Sequence, residues 1–305
     1  MLFSPPQEIE TEVFAELPAE FRKQGNPSPW LKAQLRGRDL HSLLEGPTFD
    51  RAGNLYVVDT SYGRIFRISP EGQFELLIEY DGEPNGLALH KDGRMFVADH
   101  KNGILVLNTE TGELLTYCDR SRFERFKGVN DLTFSSAGDL YFTDQGQSGL
   151  QDPSGCVYRM TADGRLECIL DGIPSPNGLV LDQHEVALYV AVTRANAIWR
   201  APFMLDGMPS KVGLYIQLSG MGGPDGIALD AEGGLAIAHI ELGSVWIMSP
   251  HGEPELRVRS CKGIKTTNVA YGGPDMFSLY ITEAESGSIL RARLPRPGKL
   301  LYSHQ

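Results

Sequence analysis

One short phrase recurs six times along the chain and constrains the fold more than any other feature. Its clearest copies are Pro84-Asn85-Gly86-Leu87-Ala88-Leu89, Pro176-Asn177-Gly178-Leu179-Val180-Leu181 and Pro224-Asp225-Gly226-Ile227-Ala228-Leu229. Weaker copies are Glu45-Gly46-Pro47-Thr48-Phe49-Asp50, Val129-Asn130-Asp131-Leu132-Thr133-Phe134 and Thr267-Asn268-Val269-Ala270-Tyr271. The polar residues at the heads of the copies are Glu45, Asn85, Asn130, Asn177, Asp225 and Asn268, at steps of 40, 45, 47, 48 and 43 residues. Self-similarity at this period marks propellers and solenoids, whose units cannot bury an apolar face alone.

Each unit has the same grammar. A first strand starts at the head phrase, and a Gly/Asp-rich turn such as Lys91-Asp92-Gly93-Arg94 follows. A second strand comes next (Leu55-Tyr56-Val57-Val58, Met95-Phe96-Val97-Ala98), then a third (Arg64-Ile65-Phe66-Arg67, Ala197-Ile198-Trp199-Arg200). A fourth completes five of the units. Four strands per unit is the blade of a propeller. The sixth unit ends near Leu294 with three strands, while residues 8–17 read as an orphan strand. The prediction is an all-β, six-bladed β-propeller with four strands per blade, whose last blade is closed by the N-terminal strand and so hides an open edge. The shared motif predicts one domain over residues 1–305. Residues 18–44 break the repeat with Pro18, Pro27 and Pro29 and turn helical from about Trp30 to Leu44. They run directly into the first head, so they are expected to form a lid over the face where the heads gather.

Composition serves mainly to exclude. The net charge is −11 and no Lys/Arg run exceeds two residues, which argues against a nucleic-acid surface. No apolar stretch approaches the ~20 residues of a membrane helix, and the N-terminus lacks the pattern of a secretory leader. The cytoplasm is the expected compartment; a monomer and a dimer both remain open. Of the four cysteines, Cys156 and Cys168 flank the Ala162-Asp163-Gly164 turn symmetrically and could face each other, but buried free thiols are expected.

The register yields a second series. The residue just after each second strand is Asp59, Asp99, Asp144, Val192, His239 and Glu283, 14 or 15 residues beyond its head. The second strand of a blade returns to the end where the first began. The two series are therefore expected as concentric polar rings at one mouth.

The heads comprise two carboxylates, Glu45 and Asp225, and four amides. An all-oxygen set suits a hard divalent cation. Ca²⁺ fits best, and Mg²⁺, Mn²⁺ or Zn²⁺ fit an open oxygen site. The competing reading is that Asn and Asp before Gly merely hold turns and satisfy backbone groups.

The head phrases Leu44-Glu45-Gly46-Pro47, Val129-Asn130-Asp131, Ser175-Pro176-Asn177-Gly178 and Gly223-Pro224-Asp225-Gly226 resemble those of the gluconolactonase and senescence marker protein 30 (regucalcin-like) family. So do Tyr141-Phe142-Thr143-Asp144 and Thr193-Arg194-Ala195-Asn196-Ala197-Ile198-Trp199-Arg200. The resemblance runs from about residue 8 to 294. It implies a six-bladed propeller with one divalent cation in the central channel, held by Glu45, Asn177 and Asp225. Asn130 matches a position that binds metal in some members and substrate in others; Asn85 and Asn268 match no ligand. Sugar-lactonase members often carry arginine two residues before the third-blade asparagine. Here that position is Gly128, with Lys127 beside it, and Lys127, Arg194 and Arg36 are the cations left for that role.

The resemblance further implies hydrolysis of a small lactone, such as a sugar lactone. The cation would polarise the carbonyl and Asp225 would act as general base, or alternatively as nucleophile. Lys127, Asn130, Asp144, Arg194 and His239 are the candidate substrate contacts; for His239 the alternative is a hydrogen-bonded histidine filling the mouth. His100, one residue past its ring position, is a weaker candidate. Two rival functions fit the same scaffold: a phosphotriesterase-like hydrolase, and a non-catalytic calcium-binding propeller.

Overall fold

The computed structural model describes residues 5–304; the reading of the extreme N-terminus falls partly on residues 1–4, outside them. Six sheets, each built on four antiparallel strands and one of them extended by a fifth, follow one another around a central channel, as predicted in number and strand count per blade. Blade one is built from Leu44–Phe49, Leu55–Asp59, Arg64–Ile68 and Phe74–Glu79, and the inner strands of the later blades are Pro84–Leu89, Val129–Phe134, Pro176–Leu181, Gly223–Leu229 and Thr266–Gly272.

The burial pattern explains the order of the strands. Second strands such as Met95–Asp99 are buried along their whole length, because a blade flanks them on either face. They accordingly read as near-continuous apolar runs. Outer strands such as Leu114–Cys118 are largely exposed. The core is divided into six clusters, one in each space between neighbouring blades. Between blades five and six, for example, Val245 and Ile247 meet Leu279 and Ile281. Closing this ring buries every blade face, so no unit is stable without its neighbours.

The N-terminal strand differs in detail from the expectation. It is broken at Thr11 into Gln7–Glu10 and Glu12–Glu16. Glu12–Glu16 pairs antiparallel with Ser288–Arg293 and completes blade six. Gln7–Glu10 instead pairs in parallel with Pro254–Arg259, adding a fifth strand to blade five. The break lets one segment cover two adjacent edges.

The segment before blade one is less helical than expected. Its helix is limited to Pro29–Gln34, capped by the Ser28 hydroxyl, which accepts from the Leu31 N–H at 3.2 Å. Arg36 and Gly37, both at positive φ, end it. Cys156 and Cys168 lie on the paired strands Gly155–Met160 and Leu166–Ile173, and all four cysteines are free thiols. Among the described residues no helix is long and apolar enough to cross a membrane.

The two ends of the channel differ. One is apolar, lined by residues such as Leu87, Leu179 and Ile227, and the C-terminal residues Leu300–Ser303 lie across it, leaving a cavity of about 120 Å³. The other opens into a polar cavity of about 590 Å³.

Candidate active site

The polar cavity is where the heads meet. Glu45, Asn85, Asn130, Asn177 and Asp225 line it together. Two local devices bring them there. All six inner strands carry a register slip at the head, for example between Pro176 and Leu179 and between Pro224 and Ile227. Such bulges re-aim side chains beside functional sites. The second device is the glycine after the head. A Cβ on Gly46 would stand 2.4 Å from the Asn85 carbonyl oxygen, and one on Gly178 2.6 Å from that of Asp225. Only glycine lets neighbouring inner strands approach this closely around the axis.

Glu45 is buried, and its Oε2 accepts from the Gly46 N–H at 2.7 Å and from Asn268 Nδ2 at 2.9 Å. Asn268 is thus an orienting residue for Glu45, in line with its lack of a ligand match. Asn130 donates through Nδ2 to Gln145 Oε1 at 3.2 Å, while its Oδ1 is buried with no hydrogen-bond partner. Asp225 is buried, and the Asn177 amide bonds to it.

Asp131, which the sequence reading passed over, adds a third carboxylate to the channel, although it lines the cavity at the apolar end rather than the polar one. It stands where four of the other five heads are followed by glycine, and that break in the phrase was a readable signal. Its Oδ1 accepts from the Leu132 N–H at 2.8 Å. Burial pushes Asp131 up to about 7. Burial also raises Glu45 and Asp225, reinforced for Glu45 by the charge on Asp225 and for Asp225 by that on Asp131. Asn177 and the positive charge of Arg194 act the other way on Asp225. Among the described residues none of the three carboxylates has an ion-pair partner. No cluster of three or more His, Cys, Asp or Glu side chains is arranged for a metal there either. The available donors are carboxylate oxygens supplemented by the amide oxygens of Asn130 and Asn177, and the orphaned Oδ1 of Asn130 fits a cation that takes up such oxygens.

The second ring does not face this cavity. Asp59, Asp99, Asp144 and Glu283 hold the backbone that enters each inner strand: they accept from the N–H groups of Leu43 (2.8 Å), Glu83 (3.0 Å), Gly128 (2.7 Å) and Lys265 (3.1 Å). Asp144 also takes the Lys127 N–H at 3.0 Å. His239 is fully buried: Trp246 Nε1 donates to its Nδ1 at 3.1 Å, and its Nε2 lies 3.0 Å from the Met221 carbonyl. Both its nitrogens are engaged within the fold. Lys127 turns outward to the Ser154 carbonyl, and Arg36 is not part of the wall. Asp144, His239 and Lys127 are therefore not brought to the cavity as substrate contacts. Arg194 is: it lines the mouth, exposed.

The remaining wall comes from places the repeat did not mark. Trp30, Gln34 and Leu35 of the segment before blade one border the cavity, and Gln147 Nε2 donates to Gln34 Oε1 at 3.2 Å. Lys265 and His100 also line it.

Residues 43–285 match the family model described as the SMP-30/gluconolactonase/LRE-like region. The chain is 32% identical over 247 residues to the lactonase drp35 of Staphylococcus aureus strain MW2, covering 74% of this chain and 71% of that protein. It is 30% identical over 238 residues to the Staphylococcus epidermidis lactonase drp35, with the same coverage. Among solved structures, the calcium-binding protein regucalcin from Agrobacterium tumefaciens superposes with a TM-score of 0.79 at 21% identity, covering 99% of this chain and all of that one. A gluconolactonase from Xanthomonas campestris superposes at 0.74 with 21% identity, covering 93% and 98%.

Proposed function

The chain belongs to the SMP-30/gluconolactonase/LRE-like family, and on that premise we propose that it is a divalent-metal-dependent lactonase. The observation that carries this reading is the convergence of buried carboxylates without a cationic partner, beside an unpaired amide oxygen, on the floor of an open polar cavity. Glu45, Asn130, Asn177 and Asp225 are the proposed cation ligands. Ca²⁺ suits their oxygens best, ahead of Zn²⁺, Mg²⁺ or Mn²⁺. When bound, the cation supplies electrophilic polarisation of the lactone carbonyl and stabilises negative charge on its oxygen.

The chain's own residues do the rest. Asp225, ionised, takes a proton from the water that attacks the carbonyl carbon. The ring C–O bond then breaks, and the proton passes to the departing alkoxide to give the hydroxy acid. The Asn177 amide and the nearby Arg194 charge favour the ionised form against the effect of burial. Asn268 and the Gly46 N–H fix Glu45, so the ligand set is preorganised. The segment carrying Trp30 and Gln34 acts as a lid that shields the cavity from bulk water.

The test is a panel of sugar and aliphatic γ- and δ-lactones assayed with and without chelator. Hydrolysis abolished by chelation and restored by a divalent ion is expected. Tight Ca²⁺ binding with no lactone turned over would replace this reading with a non-catalytic calcium-binding propeller. Asp225→Asn should reduce turnover by at least about a hundredfold, as loss of a general base does; near-wild-type turnover with metal bound would exclude the base role.

A further inference from the structure

His100 has an unusual setting. The residues around it are clamped: its own N–H donates to the Glu83 carbonyl at 2.9 Å, and the preceding Asp99 accepts from the N–H groups of Lys101 at 2.9 Å and Asn102 at 2.8 Å. Its ring lies over Gly128. A Cβ built on Gly128 would stand 2.2 Å from Cε1, 2.5 Å from Nδ1 and 2.6 Å from Nε2. Those near-equal distances place the face of the imidazole on the glycine's bare backbone. Gly128 is itself fixed by the Asp144 carboxylate and has φ +153, which L side chains rarely adopt. Two blades thus cooperate to seat one ring.

The ring borders the same cavity as Glu45, Asn130 and Asp225, and its nitrogens form no hydrogen bond among the described residues. The other histidines behave differently. His41, His90, His239 and His304 all engage ring nitrogens with the protein, and His184 and His251 are exposed. An imidazole held this firmly, with its polar atoms left to the cavity rather than to the protein, is free to bond whatever enters the cavity. Burial also lowers its pKa, which favours the neutral ring with one donor and one acceptor. That pair matches a hydroxyl group better than an anion.

Building on the lactonase reading, we propose that His100 is a specificity-determining substrate contact: seated on Gly128, it hydrogen-bonds a hydroxyl substituent of the lactone and favours hydroxylated over unsubstituted rings. The seat belongs to the contact as much as the ring does, because any side chain at position 128 would displace the imidazole.

The experiment compares wild type with His100→Ala, His100→Gln and Gly128→Ala on hydroxylated and unsubstituted δ-lactones, with Ca²⁺ affinity measured in parallel. His100→Ala should raise KM for hydroxylated lactones about tenfold while leaving KM for unsubstituted ones within twofold. Gly128→Ala should reproduce that split, His100→Gln should partly reverse it, and Ca²⁺ affinity should stay unchanged in all three. An equal effect on both lactone classes, or none, overturns the proposal. If wild type hydrolyses no lactone, the lactonase reading fails separately. The contact is then judged from the ¹⁵N signals of the His100 ring on adding gluconate. A shift absent in His100→Ala supports it, and unmoved signals overturn it.

Discussion

Asp131 offers a quantitative test of how the channel handles its charge. In the metal-free protein, burial lifts this carboxyl from 3.8 to about 7. Its raised pKa means that the folded state holds a proton the unfolded chain has released across that window. Stability associated with the protonated form is therefore fully present below pH 3.8 and lost as pH rises towards 7, at about 1.4 kcal/mol per pH unit for one proton. Over the whole window the loss is roughly 4 kcal/mol. Asp131→Asn keeps an oxygen to accept the Leu132 N–H but cannot ionise. The assay is urea denaturation of chelated protein from pH 5 to 7. Wild type should lose stability steadily, and Asp131→Asn should lose about 2–3 kcal/mol less over that interval. Glu45 and Asp225, shifted in the same direction, should leave the variant some residual slope. Adding Ca²⁺ should restore wild-type stability at pH 7, since a ligand that binds only the folded state stabilises it by mass action. A chelated wild type whose stability is level or rising between pH 5 and 7 would refute the reasoning, as would an Asp131→Asn variant that falls as steeply.

Two further substitutions probe the frame around the site. Gly226→Ala would place a Cβ 1.8 Å from Asn268 Oδ1, so overpacking should cost about 1–3 kcal/mol in urea denaturation. Because Asn268 holds Glu45, Ca²⁺ affinity by titration should also fall, whereas unchanged stability and affinity would show that the close approach is not a constraint. His239→Gln removes the partners of Trp246 and Met221 and should destabilise by about 1–3 kcal/mol, with turnover per folded molecule within twofold of wild type. A large loss of turnover at unchanged stability would return His239 to the cavity's chemistry.

The parts of the molecule legible in the sequence are those that repetition encodes. The six heads carried the blade count and the residues that converge, because each inner strand repeats the same bulge and nearly the same glycine. The second series was equally regular in the sequence, yet its role was misjudged. Strand alternation assigns side chains to faces, but these are the last residues of their strands, where the carboxylate meets the backbone beside the turn. There, Asp59, Asp99, Asp144 and Glu283 meet N–H groups of the chain entering their own blade. A carboxylate at that place satisfies donors that the bulged inner strand leaves free, which explains its recurrence without any substrate. Val192 in blade four has no such group, and there the Ser148 hydroxyl accepts from the Ser175 N–H at 3.0 Å instead.

What repetition could not show are the departures from it. Asp131 replaces a glycine, His100 rests on Gly128 from a different blade, and Trp30 and Gln34 come from outside the repeat altogether. Each is a single occurrence whose meaning depends on a neighbour distant in sequence. The division has a physical basis. A ring of like blades needs identical joints, so the joints repeat. A cavity at its axis can bind an asymmetric small molecule only where the blades differ. In this chain the differences are spread around the axis: Glu45 in blade one and Asp225 in blade five break the run of amides, Asp131 in blade three breaks the run of glycines, and the half-buried imidazole of His100, whose nitrogens have no protein partner among the described residues, stands between blades two and three. Residues that interrupt the repeat near the heads are therefore the ones to alter when substrate preference is to be changed, and residues that keep it are the ones to leave alone when the fold is to be preserved.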